Sequence, residues 1–208
     1  MRKRTIILLV LALSLPLFGA EPITFSGGAT KLVMKEGRET VTLTGGAKIE
    51  SGSMVLTADT ITISGEEYRY VICSGSVHLT DTERGILLST EKLSYDRVDE
   101  HVLITGYVEI DDTANQVQAS AFRLAYDVQP GLMELQVSVL LLRHTDSGVM
   151  VCSSDTITYD RTKETLRMLG NARVKWDGDT YEAQRVEVDL KSEEIAMKGA
   201  IKGVIGGS

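Results

Sequence analysis

Two cysteines, three histidines and two Asp-rich turns are the residues of this chain whose types could do chemistry. His78, His101 and His144 lie far apart, and no His-x-x-x-His metal spacing joins them. His78 alternates with Val77 and Leu79, so it reads as the outward residue of a half-buried strand. Asp177-Gly178-Asp179 starts like a calcium loop, but the later ligands are missing, and Asp-Gly suits a tight hairpin turn. Asp111-Asp112 reads as a solvated turn. Cys73 and Cys152 sit on apolar alternations. Export would permit a disulfide between them, but they lie too far apart in the repeat pattern described below, so they read as buried free thiols. There is no Gly-x-Ser-x-Gly nucleophile elbow and no phosphate loop. The expectation is a protein that is not an enzyme, with no catalytic residue, no metal and no cofactor.

The N-terminus reads as a leader. MRKR is a basic start, TIILLVLALSLPLF is uncharged, and Gly19-Ala20 precedes EPITF. That is the layout of a secretory signal peptide over residues 1–20. The apolar run is shorter than the roughly 20 residues of a spanning helix. Retention of the same run as a membrane anchor is the alternative. Removing residues 1–20 takes away Arg2, Lys3 and Arg4 and no acidic residue, which moves the net charge from −7 to −10. So acidic a chain does not suit a nucleic-acid backbone, and no nucleic-acid partner is expected.

The elements that must position any site come from a repeat. VTLTGGAKIESGSMVLTADTITI, residues 41–63, returns down the chain. Its first half is echoed in YVICSGSVHL, VLITGYVEI, MELQVSVLL, LRMLGNARVKW and IAMKGAIKGVI. Gly45, Gly75, Gly106, Val137, Gly170 and Gly199 mark it at spacings of 30, 31, 31, 33 and 29. Ala58, Thr90, Ala121, Ser154 and Ala183 mark the second half at 32, 31, 33 and 29. ITFSGGATKLVM, residues 23–34, is a partial unit. Each unit holds two period-2 apolar runs separated by turn residues, which is strand-turn-strand. About a dozen short strands, stacked unit on unit over residues 21–208, give an all-β domain.

Alternation assigns the inward face. Val41, Leu43, Ala47 and Ile49 share it in the first run, and Ile104, Val108 and Ile110 are among their counterparts. In the second run Leu56 and Ala58 have one parity, Ile61 and Ile63 the other. The same slip recurs at Ala119/Ala121 against Leu124/Tyr126. One extra residue at a fixed place in each unit predicts a β-bulge that turns a corner, and glycine at the other mark suits the bend. Aromatic residues make up only 5% of the chain, so the inward columns are aliphatic. Such an interior can be a packed core or a slot for acyl chains, and both readings stand here.

The pattern V-T-x-T-G-x-A-x-I…M-x-L-x-A-D-x-I-x-I at 41–63 resembles the lipopolysaccharide-transport periplasmic family, the OstA/LptA-like proteins. The looser later units extend the resemblance over about 23–205. It implies an OstA-like β-jellyroll, a V-shaped stack of antiparallel strands whose apolar inside holds lipopolysaccharide or a similar amphiphilic lipid. It implies a periplasmic location, partner components of the same fold at the inner and outer membranes, and head-to-tail self-association through the terminal edge strands. The lipid-binding residues it implies are Val41, Leu43, Ile49, Leu56, Ile61 and Ile63, with Ile104, Val108, Leu124 and Tyr126 further along. Val137 in place of glycine, and Thr90-Glu91 and Ala121-Phe122 in place of Ala-Asp, depart from the pattern. Two other readings remain: an inner-membrane-anchored relative of the same fold, and a secreted structural repeat protein with no lipid.

Overall fold

The computed structural model describes residues 23–34, 39–145 and 148–206. The leader assigned to 1–20 lies outside them. Among the described residues fourteen strands form a single antiparallel sheet. They are β1 (Thr24–Ser26), β2 (Ala29–Val33), β3 (Thr40–Ser51), β4 (Met54–Ser64), β5 (Tyr70–Asp81), β6 (Ile86–Asp96) and β7 (His101–Asp112). There follow β8 (Val117–Asp127), β9 (Leu132–Thr145), β10 (Gly148–Asp160), β11 (Thr165–Trp176), β12 (Asp179–Asp189), β13 (Glu194–Lys198) and β14 (Lys202–Val204). From β3 to β13 each strand pairs with the next, so the sheet is a plain meander. The all-β stack expected from the repeat is observed, and it is consistent with the jellyroll that the family resemblance implies.

The expected short strands are in fact long. β3 to β12 run 11 to 14 residues each. The reason is the bulge, which bends a strand without ending it. The register between β3 and β4 shifts at Thr44/Ala47, between β5 and β6 at Ser74/Val77, and between β7 and β8 at Thr105/Val108. Each shift falls on a repeat mark. Two residues on the odd strand, such as Gly75 and Ser76, then oppose one on the even strand. Both take the left-handed region, Gly75 at φ 76° and Ser76 at φ 45°. The Ala-Asp pair meets this bend from the neighbouring strand. A Cβ on Gly75 would overlap the Asp59 carboxylate, and one on Gly170 would overlap that of Asp155. Glycine and aspartate are thus two halves of one corner.

Val137 breaks the glycine pattern but not the geometry. It sits at φ 66° beside Ser138 at φ 53°. A β-branched residue in this region is strained.

The two end rungs are split. β1 and β2 both pair with β3, one on each side of its bend, and β13 and β14 flank the bend of β12 in the same way. All residues of β1, β2 and β14 are exposed.

The bends fold the sheet on itself. Inward residues of both limbs join one continuous apolar core that runs from Val41 to Leu190. The turns then form two rows. One holds the turns from β3 to β4, β5 to β6, β7 to β8 and β11 to β12. The other joins β4 to β5, β6 to β7, β8 to β9, β10 to β11 and β12 to β13. The rows meet along a seam.

Candidate functional site

All ten residues assigned to lipid binding lie in the interior. Leu43, Ile61, Ile104, Val108 and Leu124 are wholly inaccessible, and Val41, Ile49, Leu56, Ile63 and Tyr126 are at most 5% exposed. Cross-strand pairing brings them together: Val41 faces Ile63, Leu43 faces Ile61 and Ile49 faces Leu56 across β3 and β4. Ile104 faces Leu124 and Val102 faces Tyr126 across β7 and β8. The two groups sit at different depths of one aliphatic column. The limbs close on each other along the described residues, and the side chains of the column bury one another. A cavity of about 10 Å³ between Ile23, Ile49, Leu56, Val71 and Tyr95 is the small void near its N-terminal mouth.

The thiols belong to this interior. Cys73 pairs with Leu93, and Cys152 lies between Leu141 and Val174. Both are free and buried, and burial pushes each thiol up to about 12. They are unreactive filling. His78 is exposed and bonds Ser89 Oγ at 3.0 Å, on the outer face as its alternation predicts. Asp177 and Gly178 form the hairpin turn, with Trp176 facing Asp179. Among the described residues no three His, Cys, Asp or Glu side chains converge as a metal site would need.

The seam is where polar groups enter. Tyr95, Tyr126 and Tyr159 occupy the same place in successive units, each followed by an aspartate. Their rings belong to the interior or pack on it. The Tyr159 hydroxyl donates to Asp112 Oδ2 at 2.9 Å. The Tyr126 hydroxyl is buried with no well-formed hydrogen bond, within electrostatic reach of Arg161 and Arg84. Near the N-terminal end of the seam, a cleft of about 450 Å³ is lined from both rows, by Ser51, Asp81 and Arg84 on one side and Tyr95, Arg97 and Glu100 on the other.

Asp112 corrects the sequence reading. Asp111-Asp112 was read as a solvated turn, yet Asp112 has no exposed surface. Arg161 Nε donates to its Oδ2 at 2.6 Å and Arg161 Nη2 to its Oδ1 at 3.0 Å. Asn115 donates from its backbone N at 3.2 Å and from Nδ2 at 2.9 Å. Burial favours the neutral acid, but the hydrogen bonds and charge of Arg161, with the hydrogen bond of the neutral Asn115 amide, outweigh it and hold Asp112 below the usual carboxylate range. Asp81, one unit earlier, is 3% exposed and is held down in the same way by the backbone of Arg84, by Ser53 and by the Arg84 side chain. A signal for both was present: Val77-Leu79-Asp81 and Val108-Ile110-Asp112 each continue the inward parity.

Comparison with protein families gives a match over residues 87–194 to the LptA/(LptD N-terminal domain) LPS transport protein family. The match takes in more than half of the chain. The chain belongs to this family. Comparison with curated proteins finds no match. Among solved structures, this LptA/LptD-family chain is similar to LptH, the LptA homologous periplasmic component of the lipopolysaccharide transport device from Pseudomonas aeruginosa. The identity is 16%, the match covers 90% of this chain and 96% of LptH, and the TM-score is 0.30.

Proposed function

We propose that this protein carries lipopolysaccharide, or a closely related envelope lipid, through the periplasm. The acyl chains lie in the column that includes Leu43, Ile61, Ile104 and Leu124, and the polar head stays at the seam. The observation that carries this reading is the unbroken aliphatic interior, bordered along one side by tyrosine hydroxyls and charged groups. An amphiphile needs that pairing of surfaces, because acyl chains gain from apolar contact while a phosphorylated head loses by burial. Membership of the family supports the same ligand class.

The exposed end rungs support assembly into a bridge. Leu32 and Val33 stand exposed at one end, Val204 and Ile205 at the other. Unpaired strands of this kind template further strands. Head-to-tail joining of copies, and of pathway components of the same fold at the two membranes, would continue the column. The leader at 1–20 delivers the mature domain 21–208 to the periplasm.

The test is photo-crosslinking. Benzophenone side chains at Leu43 or Ile61 capture lipid in cells, and one at outward Thr62 does not. Capture outside with none at any inward position would sink the proposal.

A further inference from the structure

The Asp112 site joins residues that the ladder keeps apart. Asp112 ends β7 and Arg161 follows β10, with β8 and β9 between them in the sheet. Three strand steps span roughly 14 Å, beyond the reach of ladder neighbours. The contact exists because the two turn rows come together. Arg161 also donates from Nη2 to the carbonyl of Arg84, at 2.7 Å, so one side chain ties together turns 77 residues apart.

Packing does not require a charge here. The residue after the turn aspartate is Arg97, Val128, Arg161 and Leu190 in successive units. Val128 and Leu190 are each 3% exposed, so an apolar residue closes the seam at those units. A buried ion pair is commonly matched or bettered in stability by apolar residues of similar volume. What the pair has that Val128 and Leu190 lack is an alternative partner: once the rows part, water or an anionic group can take over both charges. The Tyr126 hydroxyl beside it is buried beside Arg161 with no well-formed hydrogen bond, and opening of the seam gives it water as a partner.

We propose that Asp112, Arg161 and Tyr159 form a clasp that locks a lateral gate, and that an acylated amphiphile enters the interior sideways when the clasp opens. The gate rests on the lipid-carrier reading above. It explains how a column whose side chains bury one another takes up acyl chains: the rows separate, and the limbs part around the incoming chains.

The test uses the full mature protein. Asp112→Asn keeps the shape and removes the charge. Tyr159→Phe removes one hydrogen bond and serves if Asp112→Asn folds poorly. The control is Val186→Ala, a core truncation on β12, which pairs with neither the strands of the clasp nor those of Cys73 and Cys152, compared at equal distance below each protein's melting temperature. Alkylation of Cys73 and Cys152 reports opening without any lipid. Capture of purified lipopolysaccharide by benzophenone at Ile61, followed in time, reports entry. Clasp variants should alkylate at least about tenfold faster than the control, because local opening no longer breaks the buried network. They should also capture lipopolysaccharide faster than wild type. Alkylation no faster than in the control overturns the clasp. Faster alkylation with unchanged capture overturns the gate and leaves entry to the ends. Faster alkylation with no capture by any form, wild type included, counts against the lipid reading and not against the opening of the clasp.

Discussion

Val137 stands at φ 66° where the other units place glycine, and its side chain is 57% exposed. Left-handed backbone costs a residue with a Cβ about 1–2 kcal/mol, and glycine loses about 0.5–1 kcal/mol of that gain to chain entropy. Val137→Gly is therefore expected to stabilise by up to ~1 kcal/mol in urea unfolding, while Gly170→Ala, at φ 76° against Asp155, destabilises. Asp112 acts in the opposite sense. Removing one member of a buried ion pair costs about 3–5 kcal/mol, so Asp112→Asn should lower the urea midpoint far more than a surface change. The pH dependence has a defined sign. Asp112 and Asp81 titrate below their unfolded value of about 3.9, so their contribution is complete above that value and is lost as pH falls through the depressed values. Acid unfolding of wild type should steepen in that window, and Asp112→Asn should unfold with a weaker dependence on pH there. Asp112 was misread because Asp-Asp resembles a turn, although its parity with Val108 and Ile110 points inward. Arg161 was not legible at all, since its contact depends on how the roll closes.

At the scale of elements, the period-2 columns were legible because burial on one face forces alternation. Ile61 and Leu124 were placed inside from parity alone, and both are fully buried. The slip after Ala58 was legible as a corner, and the register shifts there. Strand length was not, because a bulge that bends a strand and a turn that ends it use the same small residues. The split of the end rungs was not either, since GG in ITFSGGATKLVM reads as any turn. Those rungs give a prediction of their own. Lysine on an edge strand blocks strand addition. If copies join head to tail as proposed, wild type should lengthen into chains in sedimentation velocity as concentration rises, and Leu32→Lys combined with Val204→Lys, one on each end strand, should stay monomeric. Equal assembly by the variant would place self-association elsewhere.

At the scale of the whole molecule, one bent meander produces three surfaces: an aliphatic inside, a polar seam and two unpaired ends. No single residue shows this arrangement, which follows from repeating one corner in every unit. A packed core alone needs the first surface. A carrier uses all three, with acyl chains inside, the polar head at the seam and further copies at the ends. Native mass spectrometry of the protein purified from its own envelope, without detergent exchange, tests that account most directly. The carrier reading predicts the mature chain with one acylated, phosphorylated lipid per copy, in a ladder of oligomers that each add one loaded copy. Bare chains at every oligomeric state would contradict it, and would leave a secreted repeat protein whose interior is only a core.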